Sequence, residues 1–177
     1  MGVNLFAFLW GFAEATLFFI VPDVLLSLIA LQGRRRAWIA SGFAVAGALL
    51  GGWLMYGWST LDAKQVRNVL AAIPAISPGL LIQVRQQLGS TGFASLFAGS
   101  VTGVPYKIYA VEAGAATLPL MAFLIVSIPA RALRFLLVTA AVDWAARRWM
   151  VDMSHAKRLG VVLACWMLFY GWYFSVM

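Results

Sequence analysis

Long apolar runs dominate the chain, and short polar stretches separate them. About 20 consecutive apolar residues are enough to cross the hydrocarbon core of a bilayer as a helix. Three runs have a length of this order, although the second of them contains charged residues. We therefore predict full transmembrane helices at 37–58, 118–142 and 159–176.

The first 33 residues are apolar but contain two features that are costly at membrane depth. Glu14 lies inside the apolar run, and Pro22-Asp23 interrupts it. A buried carboxylate is expensive in a membrane, and proline breaks a helix, so we favour a re-entrant hairpin over one straight helix. Its limbs are predicted at 3–20 and 23–31. A single span over residues 1–33 is the alternative.

A second stretch repeats this order of residues. Apolar positions lead to Pro105, Lys107 follows, and the chain then becomes apolar again. We predict a second re-entrant hairpin over 91–116, with limbs at 91–104 and 106–116. Two hairpins that enter from opposite faces are typical of the inverted repeats of transporters.

The region between the first span and the second hairpin, residues 60–88, is the most polar part of the chain. Its apolar residues recur at helical spacing, and Ser77-Pro78 has the residue types of a helix start, which Gly89 would end. We expect two short amphipathic helices at the membrane interface, serving as a structural connection. The apolar positions are Val66, Val69, Leu70, Ile73, Leu81, Val84 and Leu88.

Composition supports one membrane domain over residues 1–177. Of the 177 residues, 63% are hydrophobic and 11% are charged, and the mean hydropathy is +0.90. The formal net charge is +7. Because the basic residues lie beside apolar runs, we expect anionic lipid headgroups, and not nucleic acid, as partners.

Basic clusters suggest the orientation. Arg34–Arg36 and the cluster formed by Arg147, Arg148, Lys157 and Arg158 both fall on the cytoplasmic side if the predicted spans are correct. The Gly47/Gly51 pair is a GxxxG motif, which favours close helix packing. We expect this packing within the chain, with a homo-oligomer as the alternative.

Charged residues of both signs in apolar surroundings are the candidates for chemistry. Glu14 and Asp23 are acidic, and Arg131 and Arg134 are one helical turn apart. They could form buried ion pairs that hold the first hairpin to a long helix. Alternatively, they could line a cavity in which arginine binds a phosphate and Glu14 exchanges protons. Lys107 is either another anion ligand or a lysine that reaches for the interface.

No motif for a metal, a nucleotide or a catalytic nucleophile is present in the sequence. Cys165 is the one cysteine, so it forms no disulfide within the chain. We expect no cofactor, no metal and no enzymatic activity. An enzyme that acts on lipid phosphates is a third, weaker hypothesis.

The sequence resembles the DedA superfamily, also called the SNARE-associated or VTT-domain family. AEATLFFIVPDVLLSL is similar to the first re-entrant motif of that family. FAGSVTGVPYKIYAVEAGAATLPLMAFLIVSIPARALRFLLV is similar to its second hairpin and the Arg-x-x-Arg helix that follows. The resemblance covers residues 8–150 and is greatest to a small YqaA-like branch.

This resemblance implies two opposed re-entrant hairpins and movement of lipids across or between leaflets, with proton coupling. Glu14 and Asp23 would match the essential acidic pair of the family, and Arg131 and Arg134 its Arg-x-x-Arg. At the second hairpin, Ser100 and Lys107 stand near the two arginines of typical bacterial members, which speaks against undecaprenyl phosphate as the substrate.

The first functional hypothesis is therefore a transporter or scramblase of a phosphate-bearing lipid in a bacterial inner (plasma) membrane. The second is a non-transporting structural or assembly protein, whose buried charges are ion pairs that stabilise the fold.

Overall fold

The computed structural model describes residues 2–74 and 76–176, and in these ranges the regular structure is helical, with no β-strand. The predicted all-α class is thereby confirmed. Met1, Ala75 and Met177 fall within predicted segments but lie outside the described residues. The helices are α1 (Gly2–Ala15), α2 (Asp23–Ala30), α3 (Arg34–Leu61), α4 (Ala63–Ala71), α5 (Pro78–Thr91), α6 (Ser95–Thr102), α7 (Tyr106–Ala115), α8 (Leu120–Trp149) and α9 (His155–Val176).

Two of the described helices, α3 and α8, are long and apolar enough to cross a membrane. Helix α3 contains the predicted span 37–58, and α8 begins two residues after the start of the predicted span 118–142 and contains the rest of it. Helix α8 continues as one helix through Pro129. The third predicted span falls within α9, which has 22 residues. Its crossing of a membrane stays a prediction, as do the re-entrant paths of the two hairpins.

Helix α1 packs along the first half of α3 and runs in the same direction. Gly47 lies directly against the backbone of Phe8, and Gly51 lies against Ala15 and Thr16. A β-carbon at Gly47 would overlap the backbone of α1. The GxxxG motif therefore serves packing within the chain, as expected.

Helix α7 packs along the second half of α3, again in the same direction. Tyr106 lies against Gly52, and Ser59 Oγ donates a hydrogen bond of 2.6 Å to the Val111 carbonyl. Helices α1 and α7 thus lie end to end along α3. The two helix breaks meet at the adjacent glycines Gly51 and Gly52.

Helix α8 runs antiparallel to α3. Near the start of α8, Leu118 accepts a hydrogen bond of 2.5 Å from the Tyr56 hydroxyl, close to the end of α3. Farther along, Phe135 is buried in a cluster with Ala37 and Ala40, close to the start of α3. Helix α8 therefore passes both helix breaks, which brings Arg131 and Arg134 to them.

The first break begins earlier than predicted. Helix α1 ends at Ala15, and the expected limb extended to residue 20. The Thr16 hydroxyl donates to the carbonyls of Phe12 and Ala13, and Phe18 N donates to Ala13 O, so local hydrogen bonds end the helix. Beyond the break, α2 begins at Asp23 as predicted and ends one residue before the expected limit.

The first limb of the second hairpin is also shorter than predicted. Helix α5 continues past Gly89 to Thr91, which makes the expected stop at Gly89 wrong. A 3-10 turn over Gly92–Ala94 then leads into α6. Helix α6 ends at Gly103, whose φ of 87° is a left-handed conformation that suits glycine. The second limb, α7, agrees with the prediction to within one residue.

Helices α4 and α5 bury their apolar stripes against the protein. Ser77 Oγ accepts from Leu80 N and Pro78 occupies the first turn of α5, which confirms the predicted helix start. The stripe residues join the core around α7, so these faces contact protein. The buried stripe residues are Val66, Leu70, Leu81, Val84 and Leu88.

Candidate functional site

The two helix breaks lie in direct contact, and a lysine connects them. Lys107, in the first turn of α7, is buried, with 2% of its surface exposed. Its Nζ donates a hydrogen bond of 2.6 Å to the carbonyl of Phe18 in the first break. A break leaves carbonyls without helical partners, and here a cation from the other hairpin satisfies one of them.

Glu14 and Arg131 form a buried ion pair. Arg131 Nη2 donates to Glu14 Oε2, and each residue has less than 5% of its surface exposed. The guanidinium carbon also lies 5.1 Å from the Tyr106 ring centre and 4.8 Å from that of Phe135. This pair joins the end of α1 to the middle of α8, as the ion-pair interpretation predicted.

Asp23 and Arg134 form a second pair. Arg134 Nε and Nη2 lie 2.8 Å and 2.7 Å from Asp23 Oδ2. Arg134 Nη1 donates a longer hydrogen bond, 3.4 Å, to the Ser100 carbonyl in α6. The other oxygen of Asp23, Oδ1, is buried and has no hydrogen-bond partner among the described residues. Through Asp23 and Ser100, the guanidinium of Arg134 contacts both hairpins.

The charges around the breaks do not balance. Arg131 and Arg134 each pair with a carboxylate, whereas Lys107 has no carboxylate within salt-bridge distance in the described parts of the chain. Three cations thus face two acids, which leaves one positive charge in a region largely shielded from solvent. Such a charge attracts an anion more strongly than the same charge in water.

A cavity of about 340 Å³ opens beside these charges. Its polar part contains Glu14, Lys107 and Arg134. Pro105 also lines the cavity, whereas Pro22, Asp23 and Arg131 do not. The structure therefore brings all five predicted site residues together but exposes only three to the cavity.

The rest of the cavity wall is largely apolar and comes from distant parts of the chain. One side is formed by α9 and another by the connection between α4 and α5. The wall from α9 consists of Phe169, Tyr170, Trp172, Tyr173 and Phe174, and that from the connection includes Ile73, Pro74 and Ile76. The cavity is therefore amphiphilic, because charged groups and aromatic rings line the same space.

The sequence reasoning missed a second charge cluster, on Glu112. This buried carboxylate accepts two hydrogen bonds from Arg67, at 2.7 and 2.8 Å, and one of 3.0 Å from Arg85. Hydrogen bonding to Glu112 raises the pKa of Arg67 above its ordinary value. The cluster holds α4 and α5 against α7, beside the cavity wall. Arg67 lies on the polar side of the predicted amphipathic helix, and no local signal connects it to a residue 45 positions away.

Tyr170 was also not recognised as part of the site. Its hydroxyl accepts a hydrogen bond of 3.0 Å from Val21 N, in the first break. Tyr170 is one of several aromatic residues in the last apolar run, and a single sequence does not show which ring faces a cavity.

Comparison with known proteins does not extend this description. No protein-family model, curated protein or solved structure matches the chain significantly.

Proposed function

We propose that the protein is a membrane transporter or scramblase that moves a phosphate-bearing lipid between leaflets. The observation that carries this proposal is the amphiphilic cavity where the two helix breaks meet. Broken helices at membrane depth are tolerated where they line a cavity, and in transporters such breaks form the substrate site. The bacterial inner membrane is the proposed location.

The charge of the site supports an anionic headgroup. Lys107 and Arg134 face the cavity together with Glu14, and the five central ionisable residues carry one surplus positive charge. An arginine fork and a lysine ammonium are both established phosphate ligands. A phosphate that enters could take the place of the Phe18 carbonyl as the partner of Lys107.

The position of Glu14 supports coupling to protons. Glu14 lines the cavity and also bonds to Arg131, which the cavity does not reach. Proton uptake by Glu14 would release Arg131 from its partner and make the site more positive. In this proposal, protonation and headgroup binding therefore favour each other.

The test uses purified protein in liposomes that carry a phosphatidic acid with a fluorescent headgroup-proximal reporter. Dithionite, added outside the liposomes, destroys the fluorescence of reporters in the outer leaflet. The loss of the remaining fluorescence then measures how fast the lipid moves from the inner to the outer leaflet. Lys107→Met should slow this movement about tenfold or more, since ~1.4 kcal/mol of lost phosphate interaction corresponds to a factor of ten. Lys107→Arg should retain most of the rate.

Lys64→Met is the matched control, because Lys64 is exposed on α4 and lies outside the cavity. A neutral glycolipid reporter controls for bilayer leakage. If folded Lys107→Met moved phosphatidic acid as fast as the unmodified protein, the proposed site would be wrong.

The structural alternative is supported by the two ion pairs, which join the first hairpin to α8. A protein of this kind needs those pairs only for stability. The charge exchange described in the Discussion separates this alternative from transport.

A further inference from the structure

A groove on the outside of the molecule lies between α9 and the first break together with the start of α2. It has a volume of about 280 Å³, and none of the described residues that line it is charged. Apart from the Tyr170 hydroxyl and the Trp166 indole nitrogen, its side chains are apolar. The groove is lined by Phe19, Ile20, Val24, Leu163, Trp166, Met167, Tyr170 and Phe174.

The groove adjoins the charged cavity. Phe19, Tyr170 and Phe174 line both spaces. The Tyr170 ring stands between them and is held there by the hydrogen bond from Val21 N. A molecule with a polar head and an apolar chain could therefore occupy both spaces at once.

Each of the two polar groups in the groove has a hydrogen-bond partner in the protein. Trp166 Nε1 donates a hydrogen bond of 3.3 Å to Ser27 Oγ, and the Tyr170 hydroxyl accepts from Val21 N. The remaining lining is apolar and partly open to the exterior, with Leu163 41% and Met167 68% exposed. Such a surface suits a hydrocarbon chain and offers little to a polar ligand.

We infer that this groove binds a hydrocarbon chain of the same lipid whose phosphate enters the cavity. The inference rests on the proposed function and adds the place where a hydrocarbon chain of the phosphate-bearing lipid binds. Continuity through the three shared residues selects this occupant, because a chain that leaves the cavity on the α9 side meets the groove first. Tyr170 then lies where head and chain join.

The test uses a phosphatidic acid that carries a diazirine in one acyl chain, added to the full-length protein in detergent micelles. After irradiation, mass spectrometry locates the label. We expect label on the groove face, at Val24, Leu163 and Met167. An excess of unlabelled phosphatidic acid should abolish this labelling. The same concentration of diacylglycerol should not, because diacylglycerol lacks the phosphate.

Two matched variants test the groove in the same protein. Leu163→Trp fills the groove and should reduce both labelling and lipid movement at least tenfold. Leu168→Trp makes the same change on the same helix, at a residue that is 74% exposed and lines neither space, and it should change neither.

The outcomes distinguish this inference from the proposed function. Equal labelling around Leu168, or equal displacement by diacylglycerol, would overturn the inference. If Lys107→Met slows lipid movement but Leu163→Trp does not, transport stands and the groove is not used. If folded Lys107→Met changes neither movement nor labelling, the proposed function fails, and the inference fails with it.

Discussion

Loss of Arg131 should strongly destabilise the protein. In Arg131→Met the Glu14 carboxylate would stay buried, at 4% exposure, without its partner. Removing one member of a buried pair costs about 3–5 kcal/mol, because the other charge remains desolvated. This is a large fraction of the 5–15 kcal/mol by which folded proteins are usually stable. Methionine keeps much of the packing against Tyr106 and Phe135, so most of the loss is electrostatic.

The measurement is unfolding in mixed micelles, in which dodecyl sulfate is increased against a mild detergent and helix content is followed by circular dichroism. Arg147→Met is the control. Arg147 also pairs with an acid, Asp143, at 3.0 Å, but its side chain is 71% exposed. The Asp143 side chain is 13% exposed, but solvent reaches the guanidinium and screens the pair. Helical pairs that reach solvent contribute about 0.3–0.5 kcal/mol, so this variant should lose much less stability than Arg131→Met.

If Arg131→Met and Arg147→Met lose equal stability, the reasoning about the buried pair is wrong. The charge exchange Glu14→Arg/Arg131→Glu then separates the two functions. A structural protein should regain stability and its cellular role in the exchanged form. A transporter should regain stability without lipid movement, because the cavity would face an arginine in place of Glu14.

Three further changes test the packing, and each has a defined measurement. Gly47→Leu should lower the free energy of unfolding by about 1–3 kcal/mol in the same dodecyl sulfate experiment, because the leucine side chain would overlap the α1 backbone. Gly57→Leu is the control: its side chain meets open space, so it should lower the free energy of unfolding little. Equal losses would contradict the close contact of α1 and α3. Glu112→Gln should weaken the hold on α4 and α5, seen as faster amide hydrogen exchange in both helices; unchanged exchange would show that the apolar stripes alone hold them. Ser77→Ala should cost about 1 kcal/mol through loss of the helix cap, with faster exchange confined to the first turn of α5.

Much of the helical pattern could be predicted from local signals. Proline marked both breaks, and Ser77-Pro78 marked the start of α5. Helix ends that are set by side-chain hydrogen bonds were predicted less accurately. The helix before the first break ends at Ala15, where the Thr16 hydroxyl competes for backbone carbonyls, and threonine does not have this effect in every helix.

The candidate site could likewise be predicted only in part from the sequence. Its five ionisable residues could be selected from the sequence, because charges are rare in apolar runs and costly there. The partners of each charge could not be selected. Glu112 lies five residues after Lys107 in the sequence, yet its partners come from α4 and α5.

The sequence by itself determined the helical class, the two breaks and the set of charges within the apolar segments. These properties follow from side-chain chemistry and from interactions between near neighbours. Only the tertiary structure decided that Glu14 meets Arg131 and Asp23 meets Arg134, across 117 and 111 residues. It also decided that Lys107 has no carboxylate partner among the described residues, and that α9 forms part of the cavity wall. The reason is physical: small residues on α3, at Gly47, Gly51 and Gly52, let α1 and α7 pack closely enough for the two breaks to meet.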